Sequence, residues 1–257
     1  MTDETIAKLK DNYNQEHPLT KIKTNDTKKV YKLLKRKNSH CKTDMCWVNS
    51  IQNKRVQKEI KEKIFIPERP TEWKKKPTEW LSNFDILEVL NQYETAYPFF
   101  RFIGPSPIDF EKKTYDGCIT PDLCSFHLNS SSLHFSQVGI VFNLDEHDEP
   151  GSHWVSMYID IQHKHIYYFD SATAEIPKEI EAFKNRLIQE RPDFTFLSNT
   201  VEHQRGNTEC GMYSLFFIIQ MLKSKNRLSL FHKRFNNERK KITDKTVQEY
   251  RKIYFRV

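Results

Sequence analysis

Between Met212 and Leu222 the chain reads Met-Tyr-Ser-Leu-Phe-Phe-Ile-Ile-Gln-Met-Leu, apolar at almost every position. A helix with one apolar stripe can lie on a surface, but one that is apolar nearly all round has no side to offer water. It belongs at the centre of a domain. The run is too short to cross a bilayer, and nothing else in the chain approaches the ~18 apolar residues of a spanning helix. A single buried helix needs a sheet or other helices around it, and strand candidates precede this one. Gln137 to Asn143 is an apolar run, and His153 to Ile161 sets Trp154, Ser156 and Tyr158 against Val155, Met157 and Ile159. His165 to Phe169 follows after a turn, and Phe194 to Val201 makes a further strand. Pro177 opens a helix to about Arg191. The expected class is α+β, with a mixed central sheet and a buried central helix.

Upstream, Val30, Leu33 and Leu34 mark one side of a short helix over 28–37. Val48, Ile51, Val56, Ile60 and Ile64 recur with helical spacing, which predicts a longer helix near 48–64. Pro67, Pro70 and Pro77, with Lys74-Lys75-Lys76 between them, then interrupt the pattern. The expected division is a basic helical arm, residues 1–77, and a core, residues 78–257. At the start of the core, Ser82 is an N-cap candidate with Asp85 three residues on. It opens a helix through Tyr97 with Phe84, Leu87, Leu90 and Tyr93 inward.

The central helix opens on a cysteine: Gln204-Arg205-Gly206-Asn207-Thr208-Glu209-Cys210-Gly211. Unpaired N–H groups and the partial positive charge of a helix N-terminus favour a thiolate over a thiol. Such placement brings a cysteine pKa from ~8.5 into the ~3.5–7.5 range, and the thiolate is the nucleophile. A thiol nucleophile needs a base, and the base needs an orienting group. His153 begins a strand and is the expected base, with His203 and His147, both in loops, as rivals. Asp170 closes the next strand, so a hairpin would bring it towards His153; Asp160 is the competing choice. Gln204, six residues before Cys210, is the candidate amide donor to an oxyanion.

The order His, Asp, Gln, Cys is the reverse of papain-like enzymes. It resembles the superfamily of adenovirus protease and the SUMO and ubiquitin-like-protein proteases. Within it, the chain is most similar to the polyprotein-processing proteases of the African swine fever virus type found in large DNA viruses. Four stretches carry the resemblance: Trp80 to Ile86, His153-Trp154, Tyr168-Phe169-Asp170-Ser171, and Gln204 to Gly211. It implies His153, Asp170 and Cys210 as a catalytic triad and Gln204 as oxyanion donor. The swine fever type carries Asn at the position of Asp170, whereas Asp is the commoner occupant in the SUMO-protease branch. The implied activity is a cysteine endopeptidase that matures structural polyproteins after small residues, typically a Gly-Gly pair, during virion assembly. A deconjugase of SUMO or ubiquitin-like proteins would use the same residues. An inactive nucleic-acid- or scaffold-binding homologue is the reading from a different class. The expected partner is a protein substrate, and no cofactor is implied.

Charge is unevenly spread. Residues 1–76 hold 20 Lys and Arg against 10 Asp and Glu, residues 77–222 hold 9 against 21, and residues 223–257 hold 12 against 3. Two basic ends therefore flank an acidic middle, and such ends draw polyanions or nucleic acid through counterion release as well as conferring solubility. The first residues lack the basic-then-apolar layout of a signal peptide. Together with an odd count of 5 cysteines, this points to a soluble intracellular protein, in host cytoplasm and virion if viral. His40, Cys41 and Cys46, and Cys118, Cys124 and His127, are spaced too loosely for structural zinc, so free thiols and no metal are expected.

Overall fold

The protein is described from a computed structural model that covers residues 3–41, 44–61, 66–130 and 133–255. The chain divides into two compact units, Met1–Ile66 and Pro67–Val257. In the first, α1 (Asp3–Glu16), α2 (Thr27–Lys37), α3 (Asp44–Asn49) and α4 (Lys54–Lys61) enclose a small core. Ile6, Leu9, Val30, Leu34, Trp47, Val48, Ile51 and Ile60 meet there. The Asp26 carboxylate caps α2 by accepting from the Lys29 N–H. The single helix expected over 48–64 is two. α3 ends at Asn49, and the Asn53 side chain accepts the N–H groups of Arg55 and Val56, so it starts α4 afresh. An Asn that satisfies those orphan donors is a strong N-cap, and here it outweighs the continuous apolar spacing. Ile64 lies outside the described residues.

The second unit begins earlier than the prolines suggested. Trp73 is buried, and its ring meets Phe255 edge-on with centroids 4.8 Å apart. Residues 67–77 therefore belong to the core they were expected to precede. A chain beginning at Pro67 should resist denaturant better than one beginning at Thr78. The expected gap is ~3–5 kcal/mol, the usual cost of deleting a buried tryptophan side chain. Equal urea midpoints for the two chains would show that Trp73 is dispensable.

From there α5 (Asn83–Ala96) leads into β1 (Phe100–Ser106). A small ribbon of β2 (Lys113–Thr114) and β3 (Gly117–Cys118) and the turn of α6 (Pro121–Cys124) come next. Then follow β4 (Gln137–Asn143), β5 (Trp154–Asp160), β6 (His165–Phe169), α7 (Lys178–Glu190), β7 (Thr195–Ser198) and α8 (Cys210–Lys223). A short α9 (Arg227–Leu230) and a terminal α10 (Asp244–Tyr254) complete the unit. Ser82 and Asp85 form the reciprocal capping box expected at the start of α5. The face of α5 differs from expectation. Ile86, Val89, Leu90 and Tyr93 are buried while Phe84 is 73% exposed, because Phe84, two residues before Ile86, lies on the opposite side of the helix.

The main sheet has five strands in the order β1-β4-β5-β6-β7. Its central pairs, β4 with β5 and β5 with β6, are antiparallel, and its outer pairs, β1 with β4 and β6 with β7, are parallel. Both faces are covered. Trp154, Tyr158, Tyr167 and Phe169 face a cluster built on α8, while Val155, Met157, Ile159 and Ile166 pack with Ile180, Phe183 and Leu187 of α7. In α8 every residue except Gln220 and Lys223 is buried. The apolar segment thus lies against the sheet at the unit's centre, as its composition requires. No helix among the described residues is long and apolar enough to cross a membrane.

Candidate active site

His153 immediately precedes β5 and Asp170 immediately follows β6. The register, with Ser156 opposite Phe169, brings both to one end of the hairpin. The imidazole Nε2 lies 2.7 Å from Asp170 Oδ1. The Cys210 side chain lies near enough to act on the same ring. Cys210 is the first residue of α8 and is 1% exposed. The structure therefore brings His153, Asp170 and Cys210 together from three separate elements.

Neighbouring groups fix this cluster. Asp170 is 2% exposed, and its Oδ1 also accepts the Ala172 N–H at 2.9 Å while Oδ2 accepts that of Ala174 at 2.8 Å. The Asn199 side chain grips the Asp170 backbone from both sides, donating to its carbonyl at 2.7 Å and accepting its N–H at 3.0 Å. On the other strand, Asn143 Oδ1 accepts the N–H groups of Asp145 and Ser152 and so closes the loop that delivers His153. Gly151 sits in that loop at φ +95°, where an L side chain would be strained and a Cβ would strike the Asn143 amide. Trp154 donates its indole N–H to the Leu81 carbonyl at 3.1 Å. Leu81 in turn rests on Gly211, where any Cβ would lie 3.0 Å from the leucine Cβ. Glycine after the cysteine thus lets the Trp80-Leu81 segment pack against the first turn of α8.

Burial disfavours charge on both ring and carboxylate, yet the pair overturns it. Desolvation lowers the His153 pKa, but the hydrogen bond and charge of Asp170 and the nearby Cys210 raise it further, to about 9. The Asp170 carboxyl is also penalised by burial. The His153 bond and charge and the two backbone N–H groups nevertheless hold it below its ordinary range.

Gln204 is buried, and its amide is held at both ends. Its Oε1 accepts from Ser171 Oγ at 2.7 Å, and its Nε2 donates one hydrogen to the Gly206 carbonyl at 2.9 Å. The second amide hydrogen remains for another acceptor. Asp244 clamps this loop from α10, with Oδ2 accepting the Gly206 N–H at 2.8 Å and Oδ1 accepting the Tyr213 hydroxyl at 2.9 Å. Glu209, just before the cysteine, is held by Thr208 and by the Gln248 amide.

The rival residues are engaged elsewhere. His203 Nδ1 accepts the Ile242 N–H and its Nε2 faces the Phe235 carbonyl, both at 3.0 Å, while burial lowers its pKa. His147 Nδ1 bonds Asp109, and Asp160 pairs with His163 and Arg227. The expectation of free thiols is corrected at four positions. Cys41 pairs with Cys46 and Cys118 with Cys124 as disulfides, leaving Cys210 as the free cysteine. Their Cα atoms lie 5.4 and 6.6 Å apart, within bridging range, a closeness that linear spacing does not reveal. The cysteine count therefore carries no argument for a reducing compartment. His40 lies beside the Cys41–Cys46 pair, and His127 bonds Glu190.

The His153–Asp170 pair has a pH signature. His153 holds its proton more tightly in the folded chain, so its contribution is complete below its ordinary 6.5 and fades as pH rises through about 9. Asp170 acts at the other end, contributing fully above its ordinary 3.8 and fading as pH falls through its depressed value. The melting temperature should fall between pH ~6.5 and ~10 more steeply in the parent than in Asp170→Asn. Thermal melts at fixed ionic strength provide the comparison, and parallel curves would mean that the pair carries no net charge coupling.

The chain is similar to known proteases. Residues 132–256 match the Ulp1 protease family, C-terminal catalytic domain, a span that contains all four candidate residues. A cysteine protease of African swine fever virus is 31% identical over 195 residues, covering 69% of this chain and 68% of that protein. A protein of Acanthamoeba polyphaga mimivirus named as a thiol protease is 35% identical over 173 residues. That match covers 64% of this chain and 55% of the mimivirus protein, so the chain spans little more than half of that relative. The crystal structure of the swine fever virus protease shares the fold, with a TM-score of 0.60 over 90% of this chain and 89% of that one at 24% identity. On this sequence relationship, the chain belongs to the Ulp1 protease family of cysteine proteases.

Proposed function

We propose that the protein is a cysteine endopeptidase that cleaves structural polyproteins after small residues, at Gly-Gly-X sites, during virion maturation. The observation that carries the reading is an imidazole hydrogen-bonded to a buried carboxylate and lying near a cysteine that opens a buried helix. In this reading His153 takes the Cys210 proton, and the thiolate attacks the substrate carbonyl carbon. The oxyanion of the tetrahedral intermediate accepts from the Cys210 backbone N–H and the remaining Gln204 amide hydrogen. His153 then gives its proton to the leaving amine. Asp170 stabilises the imidazolium without taking its proton. Water hydrolyses the thioester, with His153 as base, and restores the thiol.

A second substrate class has its own support: other swine fever virus relatives, 30% identical over 195 residues, are named SUMO-1 cysteine proteases. Both substrate classes present Gly-Gly, so the catalytic residues do not separate them. The test is to incubate the protein with a Gly-Gly-containing viral structural polyprotein and with a SUMO fusion at equal concentration. Preferential cleavage of the polyprotein supports the maturation reading, and preferential cleavage of the fusion makes the protein a deconjugase. Cleavage of neither by the intact protein would favour the inactive binding homologue.

The basic ends belong to the same reading. Residues 1–76 and 223–257 would hold nucleic acid or another polyanion in host cytoplasm and virion, where assembly takes place. Binding to duplex DNA should weaken steeply with salt, since each neutralised phosphate releases counterions. A flat dependence in a filter-binding series from low to moderate salt would leave the charge with solubility alone.

A further inference from the structure

Asp244 is the first residue of α10, where an acidic residue ordinarily serves its own helix by lying near the N-terminal N–H groups. In α10 the cap is already supplied by Thr243, whose hydroxyl accepts the Thr246 N–H. The Asp244 carboxylate turns instead to the loop between Gln204 and Cys210, where Gly206 lies 38 residues upstream. Its Oδ2 accepts the Gly206 N–H at 2.8 Å, and both oxygens meet the Arg205 N–H, at 3.1 and 3.2 Å. Its Oδ1 also accepts the Tyr213 hydroxyl of α8 at 2.9 Å. Bonds from backbone N–H groups to a carboxylate are charge-assisted and stronger than the same bonds to a neutral acceptor.

The two N–H groups belong to peptide planes that share the Arg205 Cα, and a peptide plane moves as one piece. The first plane carries the Cα of Gln204, and with it the root of that side chain. Just beyond the second lies the Gly206 carbonyl, which accepts from Gln204 Nε2 at 2.9 Å and so holds the tip. One carboxylate therefore stands behind both ends of the Gln204 side chain. From the other side Ser171 holds the same residue, accepting its N–H at 3.0 Å and donating to its Oε1 at 2.7 Å.

We propose that Asp244 is a positioning residue for the oxyanion donor: by fixing residues 205 and 206 it aims the free Gln204 amide hydrogen. The inference rests on the proposed protease chemistry, in which Gln204 donates to the tetrahedral oxygen. A group displaced by about 1 Å from its working position costs on the order of 100-fold in rate.

The test is a double-mutant cycle in the full chain, read as kcat and KM on a short Gly-Gly peptide. Asp244→Ala should lower kcat ~10- to 100-fold with KM nearly unchanged, less than Gln204→Ala because Ser171 still holds the amide. Asp244→Asn keeps one oxygen for the Gly206 N–H and should lose only ~3- to 10-fold. In the Gln204→Ala chain either substitution should cost less than about twofold more, since no amide is left to aim. A merely structural role gives independent losses that multiply, and that result overturns the proposal. So does parental kcat in Asp244→Ala beside a damaged Gln204→Ala, or a raised KM at normal kcat. If Asp244→Ala fails to fold, the cycle with Asp244→Asn decides by the same criterion. Parental kcat in Gln204→Ala would overturn the donor reading itself, and this proposal with it.

Discussion

Cys210→Ala should abolish peptide hydrolysis, with turnover falling roughly a millionfold, as when the nucleophile of a comparable triad is removed. The thiol is the atom that would bond to the substrate carbonyl, and no other cysteine can replace it. Cys41, Cys46, Cys118 and Cys124 are paired with one another. His153→Ala should cost about as much, and the double variant no more than either, because members of one proton-transfer unit fail together. Asp170→Asn should be milder, since an amide keeps a hydrogen-bonding oxygen at the ring while losing the charge. Initial rates on a short Gly-Gly peptide, with circular dichroism to confirm folding, make the measurement. Activity in Cys210→Ala within tenfold of the parent would remove it from the nucleophile's role. An active His153→Ala beside an inactive His203→Ala would move the base to His203, although both His203 nitrogens already face backbone groups.

How much of this could be read in the sequence depends on the range of the interactions. The α8 segment was legible because near-continuous apolarity leaves a helix only the interior. The Ser82 capping box was legible because both its bonds span three residues. The β5–β6 hairpin was legible because alternation on both sides of a short turn fixes the pairing. By contrast, β1 went unrecognised: Phe100 to Ile103 is a brief run broken by Gly104-Pro105, and its pairing is with distant β4. Asn199 meets Asp170 across 29 residues and Asp244 meets Gly206 across 38, so each reads locally as an ordinary loop or cap residue. Phe84 was assigned inward with Leu87, Leu90 and Tyr93, but the buried stripe runs through Ile86, Val89, Leu90 and Tyr93, and Phe84 lies on the far side of the helix from it. Trp73 shows the same limit in reverse, for the division between the units falls at the first of the prolines, Pro67, and not after Pro77, a choice the prolines alone do not make.

Gln204→Ala should lower turnover by ~100- to 1000-fold while leaving the Michaelis constant nearly unchanged. The split follows from where its free hydrogen would act. A planar ground-state carbonyl gains little from that donor, and the bond strengthens as charge collects on oxygen, so its loss is felt in the transition state. A donor of this kind contributes ~2.7–4 kcal/mol. The substitution has a second effect, because the Ser171 hydroxyl, 1% exposed, loses the acceptor it meets at 2.7 Å. An orphaned buried hydroxyl costs ~1–3 kcal/mol of stability, so activity must be compared well below both melting temperatures. Ser171→Ala separates the two effects. It releases the amide's oxygen end but keeps the donor, which Gly206 still positions through Nε2. If Gln204 acts as a donor, Ser171→Ala should lose far less turnover than Gln204→Ala. Equal losses would mean that packing around the loop matters and the amide itself does not. A raised Michaelis constant with normal turnover in Gln204→Ala would instead make Gln204 a substrate-binding residue, leaving the Cys210 N–H to hold the oxyanion alone.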